Sequence, residues 1–143
     1  EVPSRGLGDV YKRQVVMDSE KHDKIFSMTS HLPHLIAYNL VKSAQDFEKK
    51  QRYNLIKYSA GGLRDFSRIA ASNEIMWRDI FFNNKTNVSK AIDIFVKNLH
   101  SFKRDIISGN SKSVIKKLTQ TKKVRSKIVK LKQDTSKPDF GRN

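Results

Sequence analysis

The chain has 143 residues, enough for about one domain with a modest core, and a formal net charge of +15. The absence of cysteine excludes a disulfide framework and any thiolate metal site. No apolar run approaches the ~18 to 20 residues that a membrane-spanning helix requires. We therefore expect a cytoplasmic protein without a membrane partner.

The first residues have the character of a translated adapter. The segment D-V-Y-K-R-Q at residues 9–14 is the translation of GATGTGTATAAGAGACAG, which resembles the transposase end sequence used to prepare sequencing libraries. We therefore predict that residues 1–14 are a sequencing-adapter scar and exclude them from the fold prediction. A genuine basic N-terminal arm is the alternative. The scar implies that the N-terminal part of the gene product is absent from this chain.

The first predicted element is a long helix. Asp18 or Ser19 can cap it, and its pattern continues to about Lys50. Pro33 lies inside this helix and removes one backbone hydrogen-bond donor. We therefore predict a kink near residues 29–30.

Two shorter helices are predicted next. Gly61-Gly62 are interpreted as a turn, and residues 63–71 as a short helix that follows it. Ser72 or Asn73 can cap another helix that ends near residue 82.

The clearest helical pattern covers residues 85–108, and Gly109 is expected to end that helix. Its apolar residues are 4, 3, 4, 3 and 4 positions apart, which is the period of a helix-packing seam. The seam consists of Val88, Ile92, Phe95, Leu99, Phe102 and Ile106. Either the first helix of the same chain or a second copy in a twofold dimer could cover it.

The C-terminal part carries most of the positive charge. Residues 103–143 hold 13 of the 29 basic residues but only 3 of the 14 acidic ones. We interpret residues 110–143 as a basic tail, in which a Lys-rich helix starts at Ser111 and frays near Pro138. Nucleic-acid binding is the alternative. Because Phe140 is the only aromatic residue of the tail, a stacking platform is missing, and we do not expect nucleic acid as a partner.

The predicted fold class is all-α, a helical bundle with one long seam-bearing helix. We find no internal repeat and no convincing strand. The predicted organisation is an adapter scar at residues 1–14, a helical domain at 15–109 and a basic helical or disordered tail at 110–143.

A line of polar side chains follows one face of the first helix. Ser27, His31, His34 and Tyr38 are 4, 3 and 4 positions apart, and Ser30 lies at the edge of the same face. Polar groups in a mostly apolar helix need hydrogen-bond partners or a ligand. No carboxylate stands at ligand spacing beside the histidines, so we predict no metal site. Either histidine could instead be a structural residue whose hydrogen bonds are satisfied.

The segment G-G-L-R-D-F-S-R at residues 61–68 suits an anion. A Gly61-Gly62 turn that opens a helix leaves unpaired N–H groups, and Arg64 and Arg68 lie one turn apart on one face of that helix. An arginine can donate two parallel hydrogen bonds to a carboxylate, which lysine cannot do. A surface ion-pair network is the alternative. Trp77, the only tryptophan, would by itself be interpreted as a core anchor.

In this order, the blocks S-H-L-P-H, G-G-L-R-D-F-S-R-I-A and M-W-R-D-I resemble the C-terminal helical domain of prephenate and arogenate dehydrogenases, the TyrA family of tyrosine biosynthesis. The resemblance covers residues 15–107. Most members have an aromatic residue where Leu63 stands, and some have lysine for Arg64. The resemblance implies a fold like the C-terminal domain of 6-phosphogluconate dehydrogenase. It also implies a homodimer, for which the predicted contacts are Ile92, Phe95, Leu99 and Phe102.

The resemblance also implies roles for individual residues. His34 would face the substrate, Arg68 would bind a carboxylate of prephenate, and Trp77 would lie near the pocket. The predicted substrate-binding residues are His34, Arg68, Ser30, Gly61, Gly62, Arg64 and Trp77. No catalytic residue is assigned to this chain.

The full enzyme implied by the resemblance uses NAD+ or NADP+ to convert prephenate to 4-hydroxyphenylpyruvate with loss of CO2. A Rossmann domain before residue 15 would bind the cofactor and supply the catalytic histidine. We therefore expect the isolated fragment to be inactive. The competing hypothesis is a standalone basic helical module that binds nucleic acid or only dimerises, but it gives no reason for the paired histidines.

Overall fold

The computed structural model of the chain describes residues 2–3 and 16–131. Most of the predicted adapter scar and the end of the predicted tail, including Pro138, lie outside the described residues. The helices are α1 (Ser19–Phe26), a π-helical turn (Ser27–His31), α2 (Leu32–Gln51), a 3-10 turn (Ile56–Tyr58), α3 (Gly61–Ile69), α4 (Glu74–Asn83), α5 (Lys85–Ser108) and α6 (Ser111–Lys130).

The all-α prediction is confirmed. Within the described part of the chain, the strand pairing is a two-residue antiparallel ladder, in which Val2 lies opposite Met17 and Pro3 opposite Val16. In the same part, no helix is both long enough and apolar enough to cross a membrane.

The first predicted helix forms as α1 and α2, joined by a π-helical turn that includes residues 29–30, where the kink was predicted. Asp18 caps α1, because its carboxylate accepts a hydrogen bond of 2.8 Å from the backbone N–H of Lys21. Pro33 lies in the first turn of α2, where it cannot supply the backbone hydrogen bond of a continuous helix. The chain forms the wider π-helical turn just before it. The interruption of the helix therefore follows from the missing backbone N–H of Pro33.

The prediction for the Gly61-Gly62 segment was wrong, because these glycines are the first two residues of α3 and not a turn before it. The chain changes direction one residue earlier, where Ala60 has an extended backbone (φ −87°, ψ 175°). The carbonyl of Ala60 then accepts the first helical hydrogen bond, from the N–H of Arg64, at 3.0 Å. Neither glycine needs a positive φ.

Residues 1–92 form one compact unit, with a small core. Packing of α2 against α3 dominates its helix contacts. The hydroxyl of Tyr38 on α2 donates a hydrogen bond of 3.0 Å to the backbone carbonyl of Ser72, which precedes α4. The buried apolar residues of the unit are Leu32, Ala37, Trp77, Val88 and Ala91.

Residues 93–143 form the second unit, in which the end of α5 and α6 make a helical hairpin. Asp105 lies at its centre and accepts hydrogen bonds of 2.6 Å from both the Lys117 ammonium and the Ser113 hydroxyl. These two bonds, with Lys117 the stronger influence, hold the pKa of Asp105 below its usual value. One lysine of the predicted basic tail is thus part of an ion pair that joins the two helices.

Gly109 and Gly62 provide opposite tests of backbone conformation. Gly109 ends α5 with φ +67°, whereas Gly62 is helical, and a Cβ at either position would meet no atom within 4 Å. We expect Gly109→Ala to destabilise the second unit by about 1 kcal/mol, because a side chain disfavours positive φ. Gly62→Ala should stabilise the first unit by roughly 0.5 kcal/mol, through helix propensity.

Urea denaturation measures both changes, followed by far-ultraviolet circular dichroism and, for the first unit, by the fluorescence of Trp77. A change of the same sign in the two variants would contradict the assigned backbone conformations.

Candidate anion-binding site

Trp77 is the centre of a cluster of rings in the first unit. It lies on α4, which Asn73 caps through a hydrogen bond of 2.9 Å from the N–H of Met76, and it is 7% exposed. The imidazole of His34 stacks on the indole, with the ring centroids 3.8 Å apart and the planes at 17°. His31 approaches the same indole edge-on, at 6.2 Å and 77°. The two histidines of S-H-L-P-H therefore contact one buried tryptophan.

The orientation of His34 is fixed by a backbone carbonyl. Its Nδ1 lies 3.0 Å from the carbonyl oxygen of Ser30, in the π-helical turn. Because a carbonyl only accepts, the hydrogen of this bond must be on Nδ1. The other nitrogen, Nε2, then accepts a hydrogen bond when the ring is neutral and donates one when the ring is protonated.

His31 has a different set of partners. Its Nδ1 accepts a hydrogen bond of 3.2 Å from the side-chain amide of Asn84, so the neutral ring carries its hydrogen on Nε2. Burial lowers the pKa of His31 below its usual 6.5, and the carboxylate of Asp23 opposes this with a smaller effect. His31 is therefore a neutral structural residue at physiological pH, as expected for a histidine whose hydrogen bonds are satisfied.

The arginines lie on α3. Arg68 pairs with Asp65, at 3.3 Å between Nη2 and Oδ1, and its side chain is about half exposed. Arg64 donates a hydrogen bond of 2.7 Å to the carbonyl of Ser59, which holds it at the start of the helix. Since α3 packs against α2, the helix of His34, the arginines belong to the same unit as the ring cluster.

The structure thus brings together three of the predicted site residues, Ser30, His34 and Trp77. Arg64 and Arg68 stand on the neighbouring helix, Arg64 in the N-terminal turn that Gly61 and Gly62 begin and Arg68 in the last turn. The other two polar residues of the stripe, Ser27 and Tyr38, bond to the backbone carbonyls of Lys24 and Ser72. Their hydrogen bonds are structural.

Sequence reasoning missed Asn84, whose signal was weak. It followed the W-R-D-I block without an assigned role, yet it is 9% exposed and hydrogen-bonded to His31. Within the described residues, no group of three or more His, Cys, Asp or Glu side chains could hold a metal ion.

The lowered pKa of His31 predicts a pH dependence of stability. The unfolded chain binds a proton at His31 more readily than the folded chain does, so the stabilisation is complete above about pH 6.5 and declines as the pH falls below that value. His31→Gln should remove this part of the decline, and His100→Gln, at an exposed histidine, should not. Urea denaturation monitored by Trp77 fluorescence at several pH values measures it. An unaltered pH dependence in His31→Gln would refute the assignment.

Comparison with known proteins places the chain in a family. Residues 18–131 match the family described as "Prephenate dehydrogenase, dimerization domain", a match that includes α6. Cyclohexadienyl dehydrogenase of Zymomonas mobilis is 36% identical over 110 residues, which are 77% of this chain and 38% of that protein. Prephenate dehydrogenase of Bacillus subtilis is 32% identical over 127 residues, 88% of this chain and 33% of that protein. The chain therefore spans little more than a third of these relatives.

Solved structures lead to the same family. The prephenate dehydrogenase of Aquifex aeolicus, in complex with hydroxyphenyl propionate and NAD+, aligns with a TM-score of 0.73 and 42% identity, over 78% of this chain and 39% of that one. Synechocystis arogenate dehydrogenase, at 20% identity and a TM-score of 0.68, shares the fold over 79% of this chain and 41% of that one. This chain belongs to the family of prephenate dehydrogenase dimerization domains.

Proposed function

We propose that this chain is the substrate-binding and dimerisation part of a prephenate or arogenate dehydrogenase. The observation that carries the proposal is His34, stacked on a buried tryptophan with Nδ1 held by the Ser30 carbonyl. This leaves Nε2 as the atom that can meet a ligand. The names of the relatives support the reaction class, NAD(P)-dependent oxidative decarboxylation.

The substrate class follows from the arginines of α3, which packs against the helix of His34. Prephenate carries two carboxylates, and arginine is the residue best suited to bind a carboxylate with two parallel hydrogen bonds. The side chain of Arg68 is about half exposed and paired with Asp65. It can therefore bind a substrate carboxylate without a movement of α3. The N–H groups at Gly61 and Gly62 add a partial positive charge at the other end of α3, next to Arg64.

The described residues do not form a nucleotide site, because they contain no strand–glycine turn–helix unit. We propose that the part of the enzyme that the relatives have outside the matched region holds NAD+ or NADP+. When bound, the cofactor would supply the hydride acceptor for the ring carbinol carbon of prephenate; departure of CO2 would then make the ring aromatic, and the phenol oxygen would keep or regain its proton, which gives 4-hydroxyphenylpyruvate. The residues of this chain bind and orient the substrate, which is a catalytic contribution through proximity.

A chimera makes the proposal testable. Residues 16–131 would replace the matched part of the Aquifex aeolicus enzyme, and formation of NADH from NAD+ and prephenate would be measured. The free chain should be inactive in the same assay, and prephenate-dependent activity of the free chain would contradict the proposed division of roles.

Arg68→Lys in this chimera should raise the KM for prephenate by roughly 30-fold to 100-fold, because lysine cannot form the paired hydrogen bonds, a loss of about 2 to 3 kcal/mol. Arg78→Lys is a matched control, since Arg78 is equally exposed and pairs with Asp79 at 3.0 Å. Steady-state kinetics of both variants measure the effect. Equal KM values in the two variants would exclude Arg68 from substrate binding.

We further propose a homodimer formed through α5. The start of its apolar seam is covered within the first unit, where Val88 is 5% exposed. Farther along the same seam, Leu99 is 56% and Ile106 is 67% exposed in the single chain. An exposed apolar stripe of this kind is typical of a surface that a partner covers. The predicted contacts Phe95 and Leu99 lie in that stretch, and Ile92 stands at its beginning. Phe102 is half-buried instead, with the Lys117 ammonium 5.3 Å from its ring centroid.

Leu99→Glu should shift the chain from dimer to monomer, because it places a charge in the apolar contact. Lys97→Glu is the control, since it is two positions away and therefore about 200° around the helix. Sedimentation velocity over a range of protein concentrations measures the association. We expect the dimer dissociation constant to rise by at least tenfold for Leu99→Glu alone; comparable association of the two variants would place the interface elsewhere.

A further inference from the structure

Asn84 joins three separate parts of the first unit through its side chain. Its Nδ2 donates hydrogen bonds to the backbone carbonyl of Asp23 at 2.8 Å and to Nδ1 of His31 at 3.2 Å. Its Oδ1 accepts a hydrogen bond of 2.9 Å from Nδ2 of Asn87. A nearly buried amide that links α1, the π-helical turn and α5 holds His31 in one orientation.

The orientation of His31 also affects Trp77, because one imidazole lies on the face of the indole and the other lies at its edge. His31 meets the indole nearly perpendicular, at 77°, and His34 lies nearly parallel to it, at 17°. Because these rings are packed in contact, a rotation of the His31 ring would shift the indole of Trp77. The imidazole of His34, which stacks on that indole, would shift with it. The interactions run from Asn84 to His31, then to Trp77, and from there to His34.

We propose that Asn84, acting through His31 and Trp77, is a positioning residue that sets the orientation of the His34 imidazole in the substrate site. This inference rests on the proposed role of His34 in substrate binding. Asn84 does not itself touch the ring of His34 in this arrangement. Its contribution is to fix the hydrogen-bond pattern of the His31 ring and the packing of that ring against the edge of the indole.

The amide is the chemical group that this position requires. Two donors are needed, one for a carbonyl and one for an imidazole nitrogen that carries no hydrogen, and one acceptor is needed for Asn87. An aspartate has the same shape and keeps the acceptor but has no donor when ionised. It would oppose the Asp23 carbonyl and would force the hydrogen of His31 onto Nδ1. Asn84→Asp therefore breaks the link with almost no change in volume.

The test uses probes that the chain already contains. It has one tryptophan and four histidines, so the near-ultraviolet dichroism of Trp77 and the 15N imidazole resonances can be followed individually. In Asn84→Asp we expect His31 to change tautomer, the Trp77 signal to fall by at least half, and the Nδ1 and Nε2 resonances of His34 to shift. Far-ultraviolet dichroism should show the same helix content as in the unaltered chain.

Asn87→Ala is the control, because it removes only the partner of the Asn84 oxygen and leaves both donations by Asn84 in place. It should leave the signals of Trp77 and His34 unchanged. If Asn84→Asp does not fold, His31→Gln interrupts the link at its other end and should give the same changes at Trp77 and His34. A folded Asn84→Asp or His31→Gln with unaltered Trp77 and His34 signals overturns the inference.

Kinetics of the chimera separate this inference from the proposed function. Asn84→Asp should raise the KM for prephenate about tenfold, with a smaller change in kcat, and Asn87→Ala should not. An active chimera in which Asn84→Asp has an unaltered KM would overturn the positioning role alone. Loss of prephenate oxidation in the chimera with native residues would overturn the proposed function, whereas the resonances of the free chain would still report on the link.

Discussion

The contact between Trp77 and the two imidazoles is the interaction on which the candidate site depends. Trp77 is buried on α4, His34 stacks on it from α2, and His31 meets its edge from the π-helical turn. A rigid aromatic surface restricts the ring of a histidine far more than solvent would. At His34, one ring nitrogen is held by the backbone carbonyl of Ser30, and the other can meet a ligand. This is the arrangement that a positioned binding group needs.

The first long helix is interrupted next to the histidines of this contact. Pro33 interrupts the backbone hydrogen bonds, and the turn before it widens into a π-helix. Ser30 then offers its carbonyl to Nδ1 of His34, four residues later. A substitution that restored a regular helix would therefore change the backbone around the carbonyl to which His34 bonds. The backbone constraint from Pro33 and the hydrogen bond between His34 and Ser30 therefore lie within the five residues 30–34.

Much of this fold could be predicted from local chemistry. Pro33 predicted an interruption of the first helix, Asp18 predicted the first helix cap, and the apolar seam predicted the bounds of α5. Each of these features depends on residues that are neighbours in the chain. Two features could not be predicted in this way. Gly61 and Gly62 were assigned to a turn because glycine is common in turns, but the extended backbone of Ala60 makes the turn instead. Asn84 was missed because its partners, His31 and Asp23, are more than 50 positions away in the sequence.

The central claim is that the helical domain binds the carboxylate end of the substrate through α3 beside the ring cluster. A crystal structure of the chimera with NAD+ and hydroxyphenyl propionate, the ligands in the Aquifex aeolicus complex, tests it most directly. We expect the propionate carboxylate to lie about 3 Å from the guanidinium of Arg68, with the ligand next to Nε2 of His34. A carboxylate bound elsewhere, with Arg68 still turned to Asp65, would contradict the account.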